Sequence, residues 1–357
     1  MGLGNHIGFK MRADKTTHEM FQPMYGSIVL EMVSDSPAGE ILGETTKEYV
    51  FEACGEKLDM AQLQEIWEGK LEPVYPYRKA GPTVEKINGK LTAPAAPKIG
   101  VAKPKVIIPV FPGTNCEYDT AKAFARAGAD PEILVIRNLT PADVAESCKA
   151  LVKAIDNSQI VMLPGGFSGG DEPDGSAKFI ASFFRNPEVT EAVRRLLQQR
   201  DGLMLGICNG FQALIKLGLV PYGEIRDEMT GDDPTLTFNL IGRHQSRYAT
   251  TRVASVKSPW LSSCNVGDLH SIAFSHGEGR FVAPQNVIDD LIKNGQVAFQ
   301  YTDLNGDPSM DIAWNPNGSM CAIEGITSPD GRVLGKMGHT ERYSPFVGKN
   351  IYGEKYW

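Results

Sequence analysis

The 357-residue sequence contains no C-x-x-C pair; its six cysteines stand singly at 54, 116, 148, 208, 264 and 321. That scatter weakens zinc-ribbon and dithiol readings and fits a reduced compartment, so a special cysteine here is more plausibly a nucleophile than a staple. No apolar run approaches the roughly 18 residues that span a bilayer. The first 13 residues lack the apolar core of a signal peptide, so the chain is expected in the cytoplasm and off the membrane. An excess of basic charge is also missing: 36 Lys and Arg against 43 Asp and Glu leave a net charge of −7, which argues against a nucleic-acid partner. No Gly-Lys-Ser/Thr follows the glycine-rich loop, which disfavours a phosphate-binding P-loop. No His/Cys/Asp cluster has metal-ligand spacing, so no metal is expected. Internal repeats and low-complexity tracts are absent.

What remains is an ordinary globular mix, 42% hydrophobic and 22% charged, enough for a sizeable core in two or three domains. The clearest break is L-T-A-P-A-A-P-K-I-G-V-A-K-P-K at 91–105, which predicts a semi-rigid exposed linker. The expected organisation is therefore a partial α+β segment at 1–90, a linker at 91–104 and a main domain at 105–357. Within the first segment, alternating Ser27–Val33 predicts a strand. Met60–Trp67 predicts a helix with Leu63, Ile66 and Trp67 on one face. So little periodicity in fewer than 100 residues looks like an incomplete domain.

Past the linker, apolar strands alternate with helical stretches: strands at 106–111, 133–136, 160–163 and 203–207, and helices at 117–127, 141–155, 177–184, 189–198 and 211–217. Strands that read as unbroken apolar runs are buried on both faces, which predicts an α/β fold with a doubly wound, mostly parallel sheet. From about Leu236, short strands and turns predict an antiparallel addition.

Residues 203–213, L-M-L-G-I-C-N-G-F-Q-A, carry the chemistry. An apolar strand enters Gly206-Ile207-Cys208-Asn209-Gly210 and a helix leaves it, the nucleophile-elbow pattern with Cys in place of Ser. Glycines two residues to either side remove Cβ clashes in a strained turn. The turn lifts the sulfur to the carboxyl end of the sheet, and the helix N-terminus is expected to lower the thiol pKa. Cys116 stands at a similar junction without flanking glycines and is expected only to pack. A thiolate needs a base and the base an orienting acid. Two His-x-Glu pairs offer both, His276-Gly277-Glu278 and His339-Thr340-Glu341. The apolar strand before His339 favours the second pair modestly, and periodicity does not decide. In Leu163-Pro164-Gly165-Gly166-Phe167-Ser168, a backbone N–H together with that of Asn209 would suit an oxyanion hole.

Taken together, G-I-C-N-G-F-Q at 206–212, P-G-G-F-S at 164–168, F-P-G-T-N-C at 111–116, S-H-G-E-G-R-F at 275–281 and H-T-E-R at 339–342 resemble the glutaminase domain of phosphoribosylformylglycinamidine synthases. These belong to the class I, triad-type glutamine amidotransferases. The resemblance runs from about residue 104 to the C-terminus. It implies a flavodoxin-like fold and a catalytic triad of Cys208, His339 and Glu341, with Thr340 where the family usually has proline. It also implies an oxyanion hole at Gly166 and Asn209, and glutamine contacts at Gly165, Phe167, Gln212, Ser275, His276, Gly277 and Glu278. Gly169 and Glu172-Pro173 depart from the loop of the stand-alone glutaminases. Residues 1–75 look like the tail of the family's synthetase part, as in its long single-chain form, so a C-terminal fragment of a longer protein is expected. L-glutamine is the implied substrate and the synthetase part the implied partner. No cofactor is implied for this chain, ATP and Mg belonging to the synthetase part. A peptidase-like cysteine hydrolase on the same fold, and a non-catalytic interaction module with a vestigial cysteine, are the competing readings.

Overall fold

The computed structural model describes residues 2–12, 14, 16–34, 39–74, 81–82, 84–98, 100–167, 176–344 and 347. Contacts divide the chain into two compact units, Met1–Pro76 and Tyr77–Trp357. The first unit runs α1 (Gly2–Asn5), β1 (Gly8–Met11), α2 (Thr17–Phe21), β2 (Gly43–Thr46), β3 (Val50–Ala53), β4 (Glu56–Asp59) and α3 (Met60–Gly69). Its strands form one sheet in the order β2-β1-β3-β4. Helix α3 begins where the Asp59 carboxylate accepts the Ala61 and Gln62 N–H groups, which satisfies two donors that the first turn leaves free. Its apolar residues Leu63, Ile66 and Trp67 are all exposed.

The strand expected at 27–33 does not form: this stretch is irregular, and Ile28, Val29, Leu30, Met32 and Val33 are exposed. Alternation makes a strand only where a neighbouring edge supplies ladder hydrogen bonds and a face to bury. Among the described residues none pairs with it.

The second unit contains β5 (Lys105–Val110), α4 (Glu117–Arg126), β6 (Asp130–Val135), α5 (Pro141–Asp156), β7 (Ile160–Leu163), α6 (Lys178–Phe184), α7 (Pro187–Arg194), β8 (Leu203–Ile207), α8 (Asn209–Leu217) and α9 (Leu219–Tyr222). It continues with β9 (Thr235–Phe238), β10 (Gln245–Val253), β11 (Leu269–His276), β12 (Glu278–Val282), α10 (Gln285–Lys293), β13 (Val297–Thr302), β14 (Ile323–Thr327) and β15 (Val333–Lys336). The nine-stranded sheet runs β11-β10-β13-β14-β15-β8-β7-β5-β6. From β15 to β6 every neighbour is parallel, and from β15 to β11 every neighbour is antiparallel. The antiparallel addition thus extends the same sheet. Strands β9 and β12 form a separate antiparallel pair.

The parallel half is the α/β fold expected of a class I glutamine amidotransferase. Val106, Ile107, Ile108, Val161, Met162 and Met204 are fully enclosed, because helices cover both faces. Phe111 packs edge-on against Phe179 and Phe183. Helix α5 starts at a capping box in which Thr140 and Asp143 exchange hydrogen bonds, a feature worth about 1 kcal/mol. Residues 87–90 belong to this unit: Ile87 is buried, Arg252 Nη1 donates to its carbonyl at 2.7 Å, and the Gly89 N–H donates to Ala254 at 2.8 Å.

Candidate active site

The parallel topology places the loops after β5, β7 and β8 side by side at the carboxyl ends of adjacent strands, and the site is built there. Cys208 sits between β8 and α8 with φ 53° and ψ −106°, a backbone state that costs a non-glycine residue about 1–3 kcal/mol and occurs where function requires it. The flanking glycines are sterically required. A Cβ on Gly206 would lie 2.6 Å from the Gly210 carbonyl, and one on Gly210 would lie 1.9 Å from that of Leu163. The Cys208 N–H donates to the Lys336 carbonyl at 2.9 Å, tying the elbow to the end of β15.

Cys208 is buried, and its Sγ lies 3.8 Å from the Ser275 carbonyl. Burial, reinforced by Cys116 and Glu341, pushes its thiol up to about 12, and the Asn209 N–H at the helix start offsets only part of that. The expected lowering by the helix terminus is therefore reversed, because desolvation of a thiolate outweighs one favourable N–H.

The two His-x-Glu pairs lie in different environments. His339 precedes a 3₁₀ turn, Thr340–Arg342, and its N–H donates to the Ala273 carbonyl at 2.9 Å. Its Nδ1 is 2.6 Å from Glu341 Oε1. Its Nε2 is buried without a hydrogen-bond partner among the described residues. A Cβ on Gly165 would come within 2.6 Å of His339 Cε1, so that glycine admits the imidazole. His276 and Glu278 instead part company at a bend, one ending β11 and the other opening β12. His276 Nδ1 faces Asn239 Oδ1 at 3.2 Å, and Glu278 Oε2 accepts the Ser176 N–H at 2.9 Å. Burial, with His339 and His244 nearby, lowers the His276 pKa to about 3.

The remaining expected residues line the same region. Asn209 opens α8, and its side chain donates to Gln212 Oε1 at 2.9 Å. Gln212 Nε2 donates to the Glu278 carbonyl, so both ends of its amide are engaged within the protein. Gly166 forms an isolated bridge with Thr114, and a Cβ there would collide with Gly113 and Thr114. Phe167 lies 6.1 Å from the His244 ring, and His244 Nε2 is 3.1 Å from Ser275 Oγ. The Gly277 carbonyl accepts the Asn239 N–H. Ser168, Gly169 and Glu172-Pro173 lie outside the described residues.

Cys116 does more than pack. Its Sγ is 3.9 Å from His339 Nδ1 and receives a hydrogen bond from Arg342 Nη2 at 3.2 Å. The donor atoms of Cys116, His339 and Glu341 lie within 4.8 Å of one another. The guanidinium against the sulfur and the closed His339–Glu341 bond suit a hydrogen-bonded dyad better than a cation site. Sequence reasoning missed this neighbour. Strand order was the available signal, since β5 and β8 flank β7 and their loops converge. Asn239 and Ser176 carried no signal.

A cavity of about 330 Å³ opens beside His339, Arg342 and Tyr248. No helix among the described residues is long and apolar enough to cross a membrane.

Residues 103–357 match the family described as the CobB/CobQ-like glutamine amidotransferase domain. The chain is 35% identical over 254 residues to the phosphoribosylformylglycinamidine synthase subunit PurQ of Treponema denticola, covering 67% of this chain and 88% of that protein. To the PurQ subunit of Aquifex aeolicus it is 33% identical over 242 residues, covering 67% and 91%. Among solved structures, PurLQS from Thermotoga maritima aligns at 26% identity with a TM-score of 0.47, covering 67% of this chain and 89% of that one.

Proposed function

Because this chain belongs to the CobB/CobQ-like glutamine amidotransferase family, we propose that it hydrolyses glutamine through Cys208, His339 and Glu341. The ammonia would serve the ATP-dependent conversion of formylglycinamide ribonucleotide to the amidine, a step of purine synthesis. The observation that carries this reading is the buried His339 imidazole, its Nδ1 fixed by Glu341 and its Nε2 unpartnered among the described residues, with the charge of that same Glu341 felt by the thiol of Cys208 on its strained elbow.

A thiol near 12 is not ionised in the resting pocket, so its proton must leave as the nucleophile attacks. His339 Nε2 takes that proton while Cys208 Sγ bonds to the side-chain amide carbon of glutamine. The N–H groups of Gly166 and Asn209 receive the developing oxyanion. Glu341 stabilises the imidazolium and fixes its tautomer. Collapse of the tetrahedral adduct breaks the C–N bond as His339 returns the proton to the departing ammonia, leaving a thioester. His339 then deprotonates a water, which cleaves the thioester to glutamate and restores the thiol.

We read residues 1–75 as the tail of the synthetase part. Exposed Ile66 and Trp67 on α3, and the exposed apolar stretch 28–33, support it, since such surface usually meets a partner. ATP and Mg would bind that part and not this chain, which has no recognisable nucleotide motif.

A glutaminase assay on the purified chain tests the proposal. Glutamate and ammonia should form in equal amounts, and Cys208→Ala should remove turnover. Undiminished turnover in Cys208→Ala would sink the mechanism.

A further inference from the structure

A buried ion pair brackets the peptide that precedes the catalytic histidine. Lys336 ends β15 and Glu324 lies on β14, with side chains 4% and 0% exposed and Nζ 3.8 Å from Oε1. Glu324 Oε1 accepts the Gly338 N–H at 2.7 Å, and Lys336 Nζ donates to the Gly338 carbonyl at 3.1 Å. Both polar ends of the residue before His339 are thus held by one charged pair. The Lys336 carbonyl meanwhile accepts the Cys208 N–H. One residue therefore touches the backbone of the nucleophile with its main chain and that of the base's segment with its side chain.

The site leaves Gly338 no slack. A Cβ there would lie 2.8 Å from Ile272 and Phe274 and 3.0 Å from Glu324 Oε1. Glu324 Oε2 has no hydrogen-bond partner among the described residues, and burial raises the carboxyl's pKa against the pull of Lys336. A buried ion pair is seldom a net source of stability, because desolvation of both ions rivals their attraction, so a role in specifying geometry is the better account of its presence.

We propose that Glu324 and Lys336 are positioning residues that set the reach of His339 toward Cys208. The inference rests on the glutaminase reading. Misplacement of a catalytic group by about 1 Å can lower a rate about 100-fold with little change in ground-state binding.

The test compares the full chain with Glu324→Gln, Lys336→Met, the double variant and Glu324→Asp, reading Tm, kcat and KM for glutamine. Each single neutralisation strands a buried charge and should lower Tm. The double variant should recover Tm yet keep a kcat lowered about 10- to 100-fold, with KM changed less than about threefold. Glu324→Asp keeps the charge and shortens the reach, so it should lower Tm less than the single neutralisations and still lose kcat, even if the neutralised variants fail to fold. A double variant or Glu324→Asp with wild-type Tm and wild-type kcat overturns the proposal.

An inactive wild-type chain would instead refute the glutaminase reading. The inference then stands or falls on iodoacetamide labelling of Cys208, read by peptide mass with exposed Cys54 as internal reference. Slower labelling of Cys208 in Glu324→Asp supports positioning of its base, and equal labelling refutes it.

Discussion

The chain presents the same three-residue pattern twice, and the two copies are different chemical objects. His339 and Glu341 meet each other at 2.6 Å. His276 and Glu278 turn away, to Asn239 and Ser176 respectively. Both imidazoles have an Nε2 without a partner among the described residues. Only His339 has a carboxylate at its Nδ1, while His276 faces an amide oxygen and is held neutral by burial with a pKa near 3. The backbone on the C-terminal side of each histidine makes the difference. After His339 the chain curls into a 3₁₀ turn that brings Glu341 back to the ring's Nδ1. After His276 it leaves one sheet and enters another at Gly277. Spacing alone proposes a dyad, and backbone direction decides whether one exists.

The largest effect that tests this contrast is His339→Ala. If His339 is the general base and acid, its loss should depress kcat and kcat/KM together by about 100- to 10,000-fold. Glu341→Ala should cost less, because an orienting carboxylate biases tautomer and position without itself carrying the proton. His276→Ala should act mainly on KM, or on coupling to the synthetase part. Steady-state kinetics of the three variants, each checked for folding, would reverse the assignment if His276→Ala removed turnover while His339→Ala kept it.

A middle-sized effect is thermodynamic. His276 has a folded pKa near 3 against an ordinary 6.5, so below pH 6.5 the unfolded chain takes up a proton that the folded chain refuses. Folding stability should fall as pH drops through that window, by about 2 kcal/mol between pH 6.5 and 5. His276→Gln removes this contribution. Urea unfolding at pH 7 and pH 5 should show a smaller acid loss in the variant than in the wild type, and parallel losses would refute the neutral-histidine account.

The smallest effect expected is that of Cys116→Ala. This thiol touches His339 and Arg342 but has no proton to move in the mechanism, so the variant should keep most of its turnover. A loss as large as that of His339→Ala would move Cys116 from neighbour to participant.

The sequence by itself determined whatever depends on local sterics and on apolar runs. Gly206 and Gly210 had to flank Cys208 because any Cβ there strikes backbone. The strands at 160–163 and 203–207 were legible to the residue, because a strand covered on both faces must be apolar throughout. Tertiary structure alone decided matters that hang on distant partners. Ser27–Val33 has the pattern of a strand but, among the described residues, no neighbouring edge, so it forms none. The thiol of Cys208 rises where helix position alone would lower it, since burial by segments more than 60 residues away outweighs one turn of N–H groups. Which histidine owns a carboxylate, and that Cys116 lies against it, result from the convergence of the loops after β5, β7, β8 and β15. Hydrogen bonds and desolvation act over a few ångströms of space, whatever the separation along the chain, and residue spacing does not report that distance.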